Sequence, residues 1–209
     1  MNPAPVRYSP SIPLSVSGNP YDLTKRVFDT LISFVLLLLL APLMVFLAVA
    51  VMIDSPGGAF FRQERVGTDG LPFRLLKFRS MHRGTPDIST AEMRQQGKNP
   101  ITKIGHFLRR TSLDELPQLL NVLCGQMSLV GPRPALRSQE ALNQMRRDAG
   151  VDALRPGITG WAQINGRDEL TDEQKVAHDT YYRHHYSLGL DVAILIRTVA
   201  SVISGRGSR

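Results

Sequence analysis

The hydrophobic positions of this chain fall into one long block followed by a series of short periodic segments. The block runs from Thr30 to Ile53, 24 residues without a charge, and only Thr30, Ser33 and Pro42 in it are not hydrophobic. Asp22 and Thr24 are candidate helix caps ahead of it, followed by Lys25 and Arg26. As a helix the block would extend about 36 Å, enough to cross a bilayer core. Pro42 sits in its middle, where it removes a backbone hydrogen bond and crowds the preceding turn, so a bend or break is expected there. Two outcomes follow: a kinked helix that spans, or a helix that enters, breaks and leaves on the same face. Asp29 is expensive inside such a helix unless it lies at headgroup depth or pairs with Arg26, three residues earlier.

Beyond the block the period changes. Ser55-Pro56-Gly57-Gly58 is a turn, and Phe60 to Val66 and Phe73 to Phe78 read as strands joined through Gly67-Thr68-Asp69-Gly70, a hairpin signal. Residues 82–100 read as a loop or marginal helix. Ile101 to Arg110 reads as a short amphipathic helix. Leu113, Leu116, Leu119, Leu120 and Leu123 have helical spacing, so Ser112 or Asp114 should open a helix ending near Gly125. Pro117 is tolerated in its first turn. Met127 to Pro134 is punctuated and irregular, Ser138 to Asp148 helical, and Arg155 to Arg167 a glycine-punctuated loop. Thr171 to Tyr186 and Leu190 to Ile203 read as the last two helices. The N-terminal residues 1–20, rich in Pro and Ser, read as a loose tail. The organisation expected is a tail (1–20), a membrane element (21–53) and one catalytic body (54–209).

Composition changes this picture in one respect. The 209 residues carry 25 Lys+Arg against 18 Asp+Glu, a formal charge of +7. The basic residues lie on both flanks of the apolar block: Lys25 and Arg26 before it, and Arg62, Arg65, Arg74, Lys77, Arg79 and Arg83 after it. Under the positive-inside rule neither end is favoured outside, which tips the choice toward re-entrance. The same charge admits a nucleic-acid-binding or anionic-lipid-binding module, or a basic membrane-anchored adaptor without catalysis. Interleaved acids and the lack of a nucleic-acid motif count against the first. The single cysteine, Cys124, excludes a disulfide framework and reads as a buried residue on an apolar helix stripe. The five histidines form no metal-ligand pattern, and Walker A, GxGxxG and GxSxG motifs are missing.

The candidate chemistry lies in Arg109-Arg110-Thr111-Ser112-Leu113-Asp114-Glu115. Adjacent carboxylates at a helix start can simply complement the helix dipole. Alternatively, the dipole and nearby cations keep Asp114 ionised as a nucleophile, or the pair holds Mg²⁺. Arg79, Arg109 and Arg133 offer forked phosphate recognition, and Lys77 a point charge. Gly131-Pro132-Arg133-Pro134 fixes a backbone from which Arg133 projects.

The order of KRVFD, an apolar run interrupted by Pro, DSPGGAFFRQERVG, FRLLKFRSM, FLRRTSLDELPQLLNVLCGQMSLVGPRP and RPGITGWAQINGR resembles the bacterial sugar transferases, the monotopic phosphoglycosyl transferases. The likeness covers Lys25 to about Arg197. It implies an α+β, mainly helical fold: a re-entrant helix-break-helix membrane element, and a compact catalytic domain with a small β-hairpin and interfacial amphipathic helices. It also implies the cytoplasmic face of a bacterial inner membrane, a UDP-sugar donor, a polyprenol phosphate acceptor, Mg²⁺ and release of UMP. Nucleic acid is not expected, and a homodimer is left open. By this resemblance Asp114 attacks the β-phosphorus to form a phosphosugar adduct, and Glu115 helps bind Mg²⁺ or manages the second step. Lys77, Arg79, Arg109, Pro132, Arg133, Trp161 and Gln163 contact the substrate. Trp161 could equally stack on a base, anchor at the interface or pack in the core. Where the family has Ser-Pro at the helix break, this chain has Ala41-Pro42.

Overall fold

The computed structural model describes residues 21–85, 100–166 and 169–204. The tail expected at 1–20 and most of the segment 82–100 lie outside them. The fold is mainly helical with two small two-stranded sheets. Helix α1 covers Tyr21–Asp54, one unbroken helical run of 34 residues with Pro42 inside it. Proline costs one backbone hydrogen bond, and the intact turns on both sides carry the helix through.

A β-hairpin follows, β1 (Phe60–Val66) and β2 (Pro72–Phe78), paired antiparallel with Phe61 opposite Lys77. Then come α2 (Lys103–Thr111), a tight 3₁₀ turn at Leu113–Glu115, and α3 (Gln118–Leu123). Strand β3 (Ser128–Val130) runs parallel to β4 (Gly157–Thr159), with α4 (Glu140–Asp148) between them. The chain closes with α5 (Trp161–Ile164), α6 (Asp172–His185) and α7 (Leu188–Ile203). Thr171 caps α6 in a reciprocal capping box with Gln174.

Two segments read as irregular therefore hold the β3–β4 pair. Three-residue strands carry too short an alternation to be seen in sequence. They are specified instead by backbone approach. A side chain at Gly131 would meet the Arg155 carbonyl at 2.3 Å, and one at Gly157 would meet the Gly131 nitrogen at 2.1 Å. Parallel pairing brings the segments after the two strands, Gly131–Pro134 and Gly160–Gln163, to the same end of the sheet.

Helix α1 is bound to the rest of the molecule near both of its ends. Toward the N-terminus, Lys25 reaches Asp191 of α7 at 2.5 Å and lies 3.8 Å from Asp29. Tyr21 also donates to Asp191, at 2.9 Å. Asp29 is 1% exposed and accepts from the Leu129 backbone N–H. Asp29 thus pairs with Lys25 rather than Arg26, whose guanidinium caps the Val122 and Leu123 carbonyls at the end of α3. Toward the C-terminus, Leu47 and Val51 pack with Phe78 and Leu108, and Asp54 accepts from the Ile104 N–H at the start of α2. The rest of α1 presents an outward apolar face, with Leu38, Leu39, Val45 and Phe46 all more than 60% exposed. Only 11% of its most apolar 18-residue stretch is buried, so α1 is not the core helix of a soluble domain. It is long and apolar enough to cross a membrane.

Candidate active site

Arg109 and Arg110 end α2, and Ser112 then adopts a left-handed backbone conformation (φ 56°) that reverses the chain. A non-glycine residue in this region is uncommon and concentrates at functional turns. The next three residues, Leu113–Glu115, form the 3₁₀ turn, and Pro117 precedes α3. The carboxylate pair therefore does not occupy the first turn of a long helix, as the leucine spacing suggested. It sits in a tight connection between two short ones, so a helix dipole contributes little to it.

Asp114 is 7% exposed, with Lys77 Nζ 3.9 Å from its Oδ2. The same ammonium donates to Glu115 Oε1 at 2.7 Å, and Arg133 Nη1 lies 3.5 Å from that oxygen. Lys77 reaches the dyad because β2 is fixed against α3. Asn121 accepts from the Leu76 N–H at 3.0 Å and donates to the Arg74 carbonyl at 2.8 Å. Sequence reasoning missed Asn121; its signal is an amide within a leucine-rich helix. Burial pushes the Asp114 carboxyl above the ordinary carboxylate range. Lys77 pulls it down, Glu115 pushes it up, and Arg109 and Arg133 pull it down less strongly. The cations therefore offset burial only in part.

The other expected contacts divide. Arg109 lies near the dyad and is oriented by Nε donating to Ser80 Oγ at 2.8 Å. Arg79 is buried and its guanidinium donates to the Ser55 and Pro56 carbonyls, so it ties down the turn after α1. Pro132 is buried and acts through its backbone, its carbonyl accepting from the Gly157 N–H. Trp161 packs against the core, stacked on Tyr181 at 5.1 Å with Arg197 5.8 Å from its ring. Gln163 is 8% exposed, and neither polar atom of its amide has a protein partner. Cys124 is exposed, a correction to its expected burial.

Two clefts lie near the dyad, one reaching Arg133 and the other Glu115. A smaller one, about 380 Å³, runs between the hairpin loop and α4 and is lined by Gly67, Arg133, Asn143 and Arg147. A larger one, about 1040 Å³ including its mouth, reaches Glu115 between α1 and α7. Arg133 lines the first, and its Nη1 lies 3.5 Å from Glu115, which lines the second.

An acidic pair with Lys77 and Arg133 beside it, an apolar N-terminal helix and a cleft reaching Glu115 suit transfer of an anionic group at a membrane surface. The bacterial sugar transferase family model matches residues 20–205, and the chain belongs to that family. It is 43% identical over 192 residues to a UDP-glucose:undecaprenyl-phosphate glucose-1-phosphate transferase of Caulobacter vibrioides, covering 88% of this chain and 71% of the relative. A protein of the same description from Escherichia coli is 42% identical over 206 residues, 95% of this chain and 44% of the relative. A UDP-N-acetylgalactosamine-undecaprenyl-phosphate N-acetylgalactosaminephosphotransferase of Aeromonas hydrophila is 39% identical over 196 residues, 90% of this chain and 46% of the relative. The chain thus spans less than half the length of the latter two.

Proposed function

We propose that this protein transfers a phosphosugar from a UDP-sugar to a polyprenol phosphate of the undecaprenyl type, releasing UMP. The observation that carries this reading is the Asp114–Glu115 pair, Asp114 buried, under Lys77 and Arg133, in a chain about 40% identical to transferases of that description. An Asp114 carboxylate oxygen attacks the β-phosphorus. The bond from that phosphorus to the bridging oxygen breaks, and its electron pair leaves on UMP. An oxygen of the acceptor phosphate then attacks the same phosphorus. The bond to Asp114 breaks, its electron pair returns to the carboxylate, and polyprenyl diphosphosugar departs. Covalent capture lets a water-soluble donor and a lipid acceptor use one phosphorus site in turn.

Lys77, Arg109 and Arg133 lower the repulsion between the attacking carboxylate and the diphosphate, the main electrostatic obstacle in phosphoryl transfer. Asp114 and Glu115 make an all-oxygen donor set suited to Mg²⁺, which usually takes one or two carboxylates and completes its shell with water and substrate phosphate. Among the described residues no cluster of three or more metal-ligating side chains occurs. Bound there, Mg²⁺ would neutralise diphosphate charge.

We further infer that α1, although helical through Pro42, bends there and returns to the same face, with the catalytic body cytoplasmic, on the inner membrane. The attachment of α1 to the same body near both its ends supports this reading, because neither end is then free to lie on the far side. The test is incubation of purified protein with a panel of UDP-sugars, polyprenol phosphate and Mg²⁺. UMP and a polyprenyl diphosphosugar are expected with at least one donor, and Asp114→Asn should abolish both. Lack of UMP across the panel overturns the activity; full turnover by Asp114→Asn overturns the nucleophile.

A further inference from the structure

Arg133 reaches Glu115 from a backbone that is held in an unusual way. Pro132 and Pro134 flank it, and neither has an N–H to offer a neighbouring strand. The segment is held by its carbonyls instead. Donors arrive at four in succession: the Gly157 N–H at Pro132 (2.8 Å), Arg146 Nη1 at Arg133 (2.8 Å), Arg65 Nη1 at Pro134 (3.2 Å) and the Val66 N–H at Ala135 (3.0 Å). The Arg133 side chain is itself 47% exposed, so packing restrains it little. Its aim at the dyad follows from where this backbone is pinned.

The donor at the Arg133 carbonyl is a charged side chain inside the protein. Arg146 projects from α4 and is 8% exposed. Its Nε and Nη2 both donate to Oδ2 of Asp179, at 3.1 and 2.7 Å, and Asp179 on α6 is 1% exposed. Its Nη1 is then turned to the Arg133 carbonyl. One planar guanidinium therefore ties the Arg133 backbone to α6 as well as to α4, in an interior where charged hydrogen bonds are strong. A lysine has a single nitrogen and no fork, so it cannot hold both acceptors in that fixed geometry. Arg146 also lines the smaller cleft, but its Nε, Nη1 and Nη2 all donate within the protein.

We propose that Arg146, oriented by Asp179, is a positioning residue: it sets the place of Arg133 opposite Glu115 and does not itself touch the substrate. This rests on the transferase reading above, in which Arg133 meets the diphosphate. A displacement of about 1 Å at a reacting centre can cost on the order of a hundredfold in rate, so a loosened Arg133 backbone is felt in the chemistry.

A double-mutant cycle separates a positioning role from a structural one. Arg146→Lys keeps a positive charge beside Asp179 and removes the fork. It is expected to lower kcat at least tenfold in the wild-type background and less than twofold in Arg133→Ala, where no guanidinium remains to be aimed. A merely structural role, or direct contact of Arg146 with substrate, gives equal fold-losses in both backgrounds and overturns the proposal. Wild-type kcat in Arg146→Lys overturns it as well. Asp179→Asn is isosteric and milder; it should show a smaller loss with the same dependence on Arg133, and it decides the matter if Arg146→Lys does not fold. The cycle is repeated without turnover by calorimetric titration with UDP and Mg²⁺. Arg146→Lys should weaken UDP binding at least threefold where Arg133 is present and leave it unchanged in Arg133→Ala. Equal weakening in both backgrounds, or UDP bound no better by the wild type than by Arg133→Ala, overturns the positioning role. If the wild type releases no UMP from any donor, the transferase reading falls, while the binding cycle still reports whether Arg146 acts through Arg133.

Discussion

Lys77 is the residue on which the candidate site balances. Its single ammonium faces Glu115 at 2.7 Å and Asp114 at 3.9 Å, so removing it leaves two neighbouring carboxylates with their nearest cation gone. Lys77→Met is expected to lower kcat by about a hundredfold or more, with Lys77→Arg recovering only part of it, because a planar fork does not replace a point charge between two acids. Steady-state kinetics with saturating donor checks this. Chelation with EDTA should abolish turnover and excess Mg²⁺ restore it, whereas a metal-independent site would be indifferent. The dyad was legible in the sequence because its two acids are neighbours in the chain. The cations around it were legible only as a set. Arg79, Arg109 and Arg133 look alike in sequence, yet Arg79 is spent on the Ser55 and Pro56 carbonyls while Arg133 reaches Glu115. Which acceptor a guanidinium meets depends on residues far away in the chain. Cys124 teaches the same lesson: a helical stripe gave its phase, and only packing gave its exposure.

At the scale of elements, the turn after α1 shows how a local motif becomes a structural joint. Gly57 has a φ of 120°, and a side chain there would meet Arg79 Nη1 at 2.4 Å. Gly57→Ala should therefore strain the backbone and displace the guanidinium that holds the turn. A loss of about 1–3 kcal/mol in stability is expected, measured by denaturant unfolding in detergent. Gly58→Ala is the control, because a Cβ there meets nothing within 4 Å. The hairpin, α2, α6 and α7 were each readable from period and caps. The β3–β4 pair was not, and neither was the 3₁₀ turn bearing the dyad, since three-residue elements leave no periodic trace.

For the whole molecule, the decisive feature is the clasp between α1 and α7. Lys25 is buried between Asp29 and Asp191, and Tyr182 donates to the other oxygen of Asp191 at 2.6 Å. Lys25→Met would leave two buried acids without their cation, for a loss of about 3–5 kcal/mol. The same unfolding measurement checks it, with Lys25→Met/Asp191→Leu expected to recover part of the loss. Topology is tested in a Cys124→Ser background. Cysteines placed at Tyr21 and at Ser204 should both resist a membrane-impermeant label applied to intact cells, and outside labelling of either would overturn re-entrance.

The sequence by itself determined that an apolar helix precedes a basic mixed body, that Asp114 and Glu115 stand together, and that these motifs occur in the order of one family. Those are properties of neighbours and of period, which the chain carries locally. Only the tertiary structure decided that Asp29 answers to Lys25, that α1 is bound to one body near both its ends, and that Arg79 serves a turn while the buried Gln163 amide has no protein partner. Each of these depends on burial. In a low-dielectric interior a polar group must find a partner wherever the fold supplies one, and that partner can be more than a hundred residues away.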